Sequence, residues 1–303
     1  MPKQRSYRDK RLNRIKEDLL DLEPEEKEKM LDLLVGMQED ENEKRRQEIQ
    51  IHTISEYTEE AKKIIANWGK VTGIRSGYPT IDSLTKGFDP GNLIVLAGRT
   101  SQYKTMLSIN MARNIAKSGI PVMFVTLENT KAEIAGRLMK ICGDSEEYED
   151  VATMIAVQAR DELDWRNVDA LIESFIQLFN GEGIVFIDHL HYFARDTEKQ
   201  AEMLGNVTKE LKKNAIRHEI PIVLISHVRK AENKNKAKDL PDIEDLRGTS
   251  YIAQDADIVL MVGQGMTEKN NVVVQLQKNR NKGHDRDNDT TYLRKDPNGI
   301  RIY

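Results

Sequence analysis

"AGRTSQYKTMLS", residues 97–108, is the stretch whose reading decides the fold. It follows an apolar run, "LIVLAG", and leads into an amphipathic stretch, "KTMLSINMARNIA", so it reads as a strand, a loop ending in Lys-Thr, and a helix. The pattern of a phosphate-binding loop is G-x-x-x-x-G-K-[ST]. Gly98, Lys104 and Thr105 fall in place, but the position before the lysine holds Tyr103 where the pattern has glycine. Such a loop points successive backbone N–H groups at a phosphate, and the following helix N-terminus adds its dipole. Arg99, Thr100, Ser101, Gln102 and Tyr103 are then the backbone cradle. Lys104 reaches the β- and γ-phosphates, and the Thr105 hydroxyl coordinates Mg²⁺. If the Tyr103 backbone must adopt a positive φ, the missing glycine costs ~1–2 kcal/mol, a strain the rest of the site can absorb. The plain alternative is an ordinary strand-to-helix turn that happens to contain Lys-Thr.

Residues downstream favour the loop. "FVTLEN" ends an apolar run with Glu128, where a carboxylate can polarise a water attacking a phosphate. Taken alone, Glu128 reads more simply as a helix-capping acid, since Asn129 and Thr130 precede the next helical stretch. "GIVFIDHL" ends a buried strand with Asp188, the position of an acid that holds Mg²⁺ through water. "PIVLISH" ends another with Ser226 and His227, a polar pair able to sense the γ-phosphate. Polar groups at the ends of consecutive parallel strands point into the crevice where open α/β sheets bind ligands. Two other readings are set aside. "DHLH" (188–191) suggests a metal site, but no Cys/His partner cluster appears elsewhere in the sequence for a protein-bound zinc. Ser226 and His227 are adjacent and lack an elbow motif, which argues against a hydrolase triad.

The 303 residues suffice for one large α/β domain and a smaller appendage. Strand candidates are 93–98, 121–127, 183–188, 221–226, 256–262 and 271–277, with helical stretches between the first four, the pattern of βαβ crossovers and a parallel sheet. "DPNG" (296–299) reads as a turn between two terminal strands. The first ~70 residues differ: a basic head, an acidic Leu-rich stretch, and a helix over "ISEYTEEAKKIIANWGK" (54–70). The expected division is 1–50 as a charged helical extension, 51–71 as a linker helix and 72–303 as the α/β domain. Net charge is −4, so nucleic acid binding would need a local basic patch. One cysteine, Cys142, fits a reducing cytoplasm. No apolar run approaches the ~18 residues that span a bilayer, and the N-terminus lacks the apolar core of a signal peptide. A cytoplasmic protein without membrane contact is expected, in the host cytoplasm if it is phage-encoded.

The order of these motifs resembles the DnaB-type replicative helicases, a hexameric RecA-fold family that also includes phage-type primase-helicases. The likeness runs from about Gly73 to the C-terminus. "GIRSGYPTIDSLTKGFDPGNLIVLAGR" looks like the family's lead into its phosphate loop. "VMFVTLEN", "FIDHLHYF", "IVLISHVRK", "IEDLRGTSYIAQDADIVLMV", "LQKNRNKG" and "YLRKDPNGIRIY" follow in its order. Histidine at 227 and "DH" at 188–189 are closer to the phage-type branch. The resemblance implies a RecA-like three-layer P-loop NTPase with ATP and Mg²⁺. Lys104 and Thr105 would bind phosphate and metal, Glu128 would act as base, Asp188 as the metal-holding acid and His227 as γ-phosphate sensor. Lys278 and Arg280 would reach a neighbouring subunit's γ-phosphate in a homohexamer; alone, "QKNRNKG" reads as a solvated basic turn.

The same likeness assigns Arg229, Lys230, Lys234, Lys236 and Lys238, which alone read as a solvated charged loop, to single-stranded DNA. "ARDTEKQAEM" (194–203) would be a second channel loop. Neither the family's large helical N-terminal domain nor a zinc-binding primase module is expected, and residues 1–50 are expected to offer a surface for a loader, a primase or another replication protein. The leading expectation is an ATP-driven hexameric DNA helicase translocating on single strands. The alternatives are a RecA-fold ATP-binding accessory or regulatory protein that binds a replication partner without unwinding DNA, and a filament-forming recombinase-like ATPase.

Overall fold

The computed structural model describes residues 53–303 apart from 68, 160–164, 195–199, 229–239, 244, 247–249, 266–270 and 281–288. The chain divides into two compact units, Met1–Ala66 and Asn67–Tyr303. In the first, a 3-10 turn over Ile54–Tyr57 runs into helix α1, Thr58–Ala66. The Glu56 carboxylate accepts the Thr53 backbone N–H at 2.9 Å and so satisfies a donor at the start of the turn. The regular helix is shorter than the 54–70 expected.

The second unit is built on eight strands: β1 (Leu93–Gly98), β2 (Val122–Thr126), β3 (Ile155–Ala159), β4 (Ile184–Asp188), β5 (Ile222–His227), β6 (Ile258–Gln264), β7 (Asn271–Asn279) and β8 (Thr290–Arg294). Their order is β3-β2-β4-β5-β1-β6-β7-β8. The first six are mutually parallel, and β7 and β8 add on antiparallel. Helices α2 (Pro79–Thr85), α3 (Lys104–Lys117), α4 (Lys131–Cys142), α5 (Ser145–Ala152), α6 (Val168–Phe179), α7 (Gln200–Arg217) and α8 (Ser250–Asp255) connect them.

The central strands are apolar up to their C-terminal ends, where Thr126, Asp188, Ser226 and His227 stand, because both faces of the sheet are covered. Along β1 the period of two divides the residues between two cores. Ile94 and Leu96 pack with Leu107, Met111 and Ile115 of α3 and Ile134 of α4. Leu93, Val95 and Ala97 pack on the other face with Ile172 and Phe175 of α6 and Leu204 and Leu211 of α7. That is the expected three-layer α/β arrangement. Phe124 and Phe186, paired across β2 and β4, stack at 5.9 Å between ring centroids.

The six internal strand candidates form within a few residues of the bounds read from sequence. β3 was not anticipated. Its residues Ile155–Ala159 are all half-buried, because β3 is the edge strand beside β2, and its short Ile-Ala-Val-Gln-Ala run has no clean alternation. The last strand pairing is reduced to an isolated bridge between Lys295 and Ile302.

Candidate nucleotide site

The sheet order puts β2, β4, β5 and β1 side by side, with their C-terminal ends at one edge. Gly98 is in register with His227, and Thr126 with Asp188. With strands ~4.8 Å apart, the ends of all four lie within about 15 Å. Residues 100–106, Glu128 and His227 line one cleft of about 460 Å³, together with Asn298, Gly299 and Ile300 of the C-terminal turn.

The loop has the shape expected of an anion cradle. Ser101 and Tyr103 take φ of 63° and 62°, both left-handed. Interleaving left-handed residues turns successive N–H groups to the same side. Tyr103 therefore does adopt the conformation that the usual glycine permits. Its ring is partly buried against the core. Lys295 Nζ lies 4.9 Å from the ring centroid, and a Cβ on Gly299 would meet Tyr103 Cε1 at 3.2 Å. The ring thus holds the C-terminal turn over the loop. Asn110 of α3 fixes the same turn, donating to the Ile300 carbonyl at 2.9 Å and accepting the Ile302 N–H at 3.1 Å.

The Gln102 amide oxygen accepts the Gln264 N–H at 2.6 Å and ties the loop to the end of β6. Gly98 has a packing reason of its own: a Cβ there would meet the Val262 carbonyl oxygen at 2.3 Å.

Lys104 is buried, and its ammonium donates to the Arg99 carbonyl at 2.8 Å. Burial pulls its pKa down to about 8, against the opposing pull of the Asp188 and Glu128 carboxylates. Asp188 is 1% exposed. Burial pushes its carboxyl up to about 6; the Thr105 hydroxyl opposes this, Glu128 adds to it, and Lys104 and Arg137 oppose it. Both Asp188 oxygens are buried without a well-aligned hydrogen bond among the described residues. A buried carboxylate in that condition, beside the Thr105 hydroxyl, fits a hydrated divalent cation.

Glu128 is not a cap. Thr130 caps α4, accepting the Glu133 N–H at 3.2 Å, while the Glu133 carboxylate receives the Thr130 N–H at 2.8 Å. Nearly half of the Glu128 side chain stays exposed at the cleft, 3.7 Å from His189 Nε2. Sequence reading missed two contributors and set a third aside. Arg137 of α4 lines the cleft and donates to the Asn129 side chain at 2.9 Å. The C-terminal turn contributes Asn298 and Gly299. His189 and His191 gather with His227, the His189 and His227 rings being 4.3 Å apart. Nothing local marks Arg137, whose relevance depends on how α4 docks.

Lys278 and Arg280 stand at the opposite end of the sheet. β7 runs antiparallel to β6, so its last residues lie beside the first residues of β6 and β1. Lys278 Nζ donates to the carbonyls of Ala253, Gln254 and Ala256 at 2.8, 3.2 and 2.6 Å, at the end of α8. Arg280 donates to the Gln254 carbonyl at 2.7 Å and lies 3.5 Å from the buried Asp257 carboxylate. Arg229, Lys230, Lys234, Lys236 and Lys238 lie outside the described residues, as does residue range 1–50. Among the described residues no helix is long and apolar enough to cross a membrane.

A parallel sheet with the loop after β1 and acids past β2 and at the end of β4 defines a RecA-like α/β fold. Solved structures agree. An ATPase-domain structure superposes with a TM-score of 0.72 at 21% identity, covering 84% of this chain and 99% of that one. A KaiC-like protein from Pyrococcus horikoshii superposes with a TM-score of 0.58 at 21% identity, covering 76% of this chain and 98% of that one.

The family follows from sequence: the model of the DnaB-like helicase C terminal domain matches residues 73–149 and 140–295, and the chain belongs to that family. A probable replicative DNA helicase of Trieres chinensis is 30% identical over 226 residues, 63% of this chain and 47% of the relative. The replicative DNA helicase DnaB of Helicobacter pylori is 27% identical over 241 residues, 69% of this chain and 48% of the relative. The chain thus spans about half the length of the curated relatives it matches.

Proposed function

We propose that the protein is an ATP-driven replicative DNA helicase that forms a homohexameric ring and translocates on single-stranded DNA in the cytoplasm. The observation that carries this reading is the convergence of Lys104, Glu128 and His227 on one cleft beside a left-handed loop, with Asp188 buried next to Thr105 and Lys104. The backbone of residues 99–103 would hold the phosphates, and Lys104 would exchange its bond to the Arg99 carbonyl for phosphate oxygens. Mg²⁺, held by Thr105 and through water by Asp188, would neutralise charge on the phosphates. Glu128, exposed at the cleft, would take the proton of the attacking water, and His227 would sense the γ-phosphate.

Lys278 and Arg280 sit too far from their own loop to serve it, since the length of a strand, about 17 Å, intervenes. In a ring they would instead reach the nucleotide of a neighbouring copy. The domain division at 1–50, 51–71 and 72–303 belongs to the same reading, with the helix after residue 51 packing on that neighbour. Its exposed Ile54, Ile64 and Ile65 suit such a role. Arg229, Lys230, Lys234, Lys236 and Lys238 would contact the DNA backbone. Residues 1–50 would receive a loader or primase; a DnaB-like helicase structure described with its interactions with primase has the same fold, with a TM-score of 0.68.

The test is ATP hydrolysis by the purified chain with and without single-stranded DNA, beside a mass measurement with nucleotide. Stimulated turnover in a ring-sized particle supports the reading. Nucleotide binding without stimulation favours the accessory protein instead.

A further inference from the structure

The "DHLH" histidines lack metal partners nearby in sequence, but the fold supplies them. His189 follows β4, His227 ends β5, and Glu128 lies just past β2; these three strands are neighbours. One donor atom from each of Glu128, His189 and His227 lies within 4.8 Å of the others. Glu128 Oε2 and His189 Nε2 are 3.7 Å apart. The His189 and His227 rings stand nearly perpendicular, at 84°, with centroids 4.3 Å apart. Two imidazoles and one carboxylate are the donor set of borderline divalent ions such as zinc or cobalt. Magnesium prefers oxygen alone and retains its waters.

The Glu128–His189 spacing approaches what such an ion needs. Bonds of ~2.0–2.1 Å from a tetrahedral centre put donor atoms about 3.3 Å apart. The Glu128–His189 pair needs to close by a few tenths of an ångström. Glu128 has that freedom, because 47% of its side chain is exposed, whereas the His189 side chain is only 6% exposed. His191 stands back, its ring centroid 5.8 Å from that of His189.

We propose that Glu128, His189 and His227 form a binding site for a divalent transition-metal ion of the zinc class, distinct from the magnesium that accompanies nucleotide. The remaining coordination position takes water or a phosphate oxygen. Because the ion engages the Glu128 carboxylate, its binding withdraws that group from hydrolysis, and zinc-class ions inhibit the enzyme. The inhibition rests on the reading of Glu128 as the base; the metal site does not.

The experiment is a titration of the full chain with Co²⁺ alone, without nucleotide, followed by calorimetry and by the visible ligand-field absorption of bound cobalt. One equivalent per chain is expected, displaced by Zn²⁺ and indifferent to excess Mg²⁺. Glu128→Gln and His227→Ala should each weaken cobalt binding by about tenfold or more, with circular dichroism reporting that both remain folded. Lys104→Ala should still bind cobalt while losing turnover, which separates this site from the nucleotide reading. Absence of a bound equivalent, or unchanged affinity in both Glu128→Gln and His227→Ala, overturns the proposal. In wild-type protein with Mg²⁺ and ATP, zinc should suppress hydrolysis in parallel with its binding; full activity in the zinc-loaded protein overturns the inhibitory role and leaves the titration to decide the site.

Discussion

The Lys104 ammonium donates a 2.8 Å hydrogen bond to the Arg99 carbonyl, so the loop is closed across itself by the residue that would meet phosphate. Burial has already pulled the pKa of this lysine down to about 8. A folded-state value below the ordinary one means that the charged form is disfavoured by folding, and stability from this group rises with pH between about 8 and its ordinary 10.5. Lys104→Ala is therefore expected to abolish ATP hydrolysis without lowering the melting temperature at pH 7. Calorimetry and a phosphate-release assay read the two outcomes, and retained turnover would remove this loop from the chemistry.

Tyr103 works against itself in a measurable way. Its left-handed backbone costs ~1–2 kcal/mol, while its ring packs on the core and on Gly299. Tyr103→Gly relieves the first and forfeits the second. ATPase activity should stay within about tenfold, since the preorganised Lys104 and Thr105 contacts carry most of the site. A complete loss would show that the C-terminal turn held by this ring is itself required for hydrolysis.

Asp188 sets a pH dependence of opposite sign to that of an ion-paired carboxylate. Its folded pKa is raised from 3.8 to about 6, so the native state binds more protons than the unfolded chain across that window, and stability falls as pH rises through it. Asp188→Asn, a neutral isostere, should flatten this part of the profile. At pH 7–8 without nucleotide it should melt at a higher temperature than wild type, while losing hydrolysis. Paired denaturant titrations from pH 4 to 8 measure the difference; identical profiles would mean that the carboxyl is not strained by burial.

Arg280 offers a test of action between copies. Its backbone N–H donates to the Asp257 carbonyl at 2.8 Å whatever the side chain, so Arg280→Ala should fold. Activity should be lost in the assembled protein. Mixing Arg280→Ala with Glu128→Gln should restore part of it, because mixed interfaces of one orientation pair an intact base with an intact arginine. A mixture no more active than its components argues against a shared site.

Asn110 tests the contribution of the C-terminal turn to the cleft. Asn110→Ala leaves the Ile300 carbonyl and the Ile302 N–H without their amide partner, at a cost of roughly 1–3 kcal/mol for each group left buried and unsatisfied. The KM for ATP should rise more than kcat falls, since Asn298 and Gly299 line the cleft but contribute no reacting group. Steady-state kinetics separate the two parameters.

By itself the sequence determined the local elements: a glycine and Lys-Thr at fixed spacing after an apolar run, carboxylates just past β2 and at the end of β4, and a histidine at the end of β5. Each depends on backbone period and on neighbours within a few residues, which survive in one dimension. Edge strand β3 escaped because half-burial erases that periodicity. The order of strands was decided only by tertiary structure, since parallel pairing joins residues far apart in the chain. That order sets His227 beside Gly98 and Asp188 beside Thr126. It sends Lys278 and Arg280 to the opposite end of the sheet, and it assembles Glu128, His189 and His227 into a cluster that "DHLH" read alone does not contain. Whether Glu128 capped a helix was likewise settled in three dimensions, where Thr130 and Glu133 satisfy the start of α4 and leave the Glu128 carboxylate at the cleft.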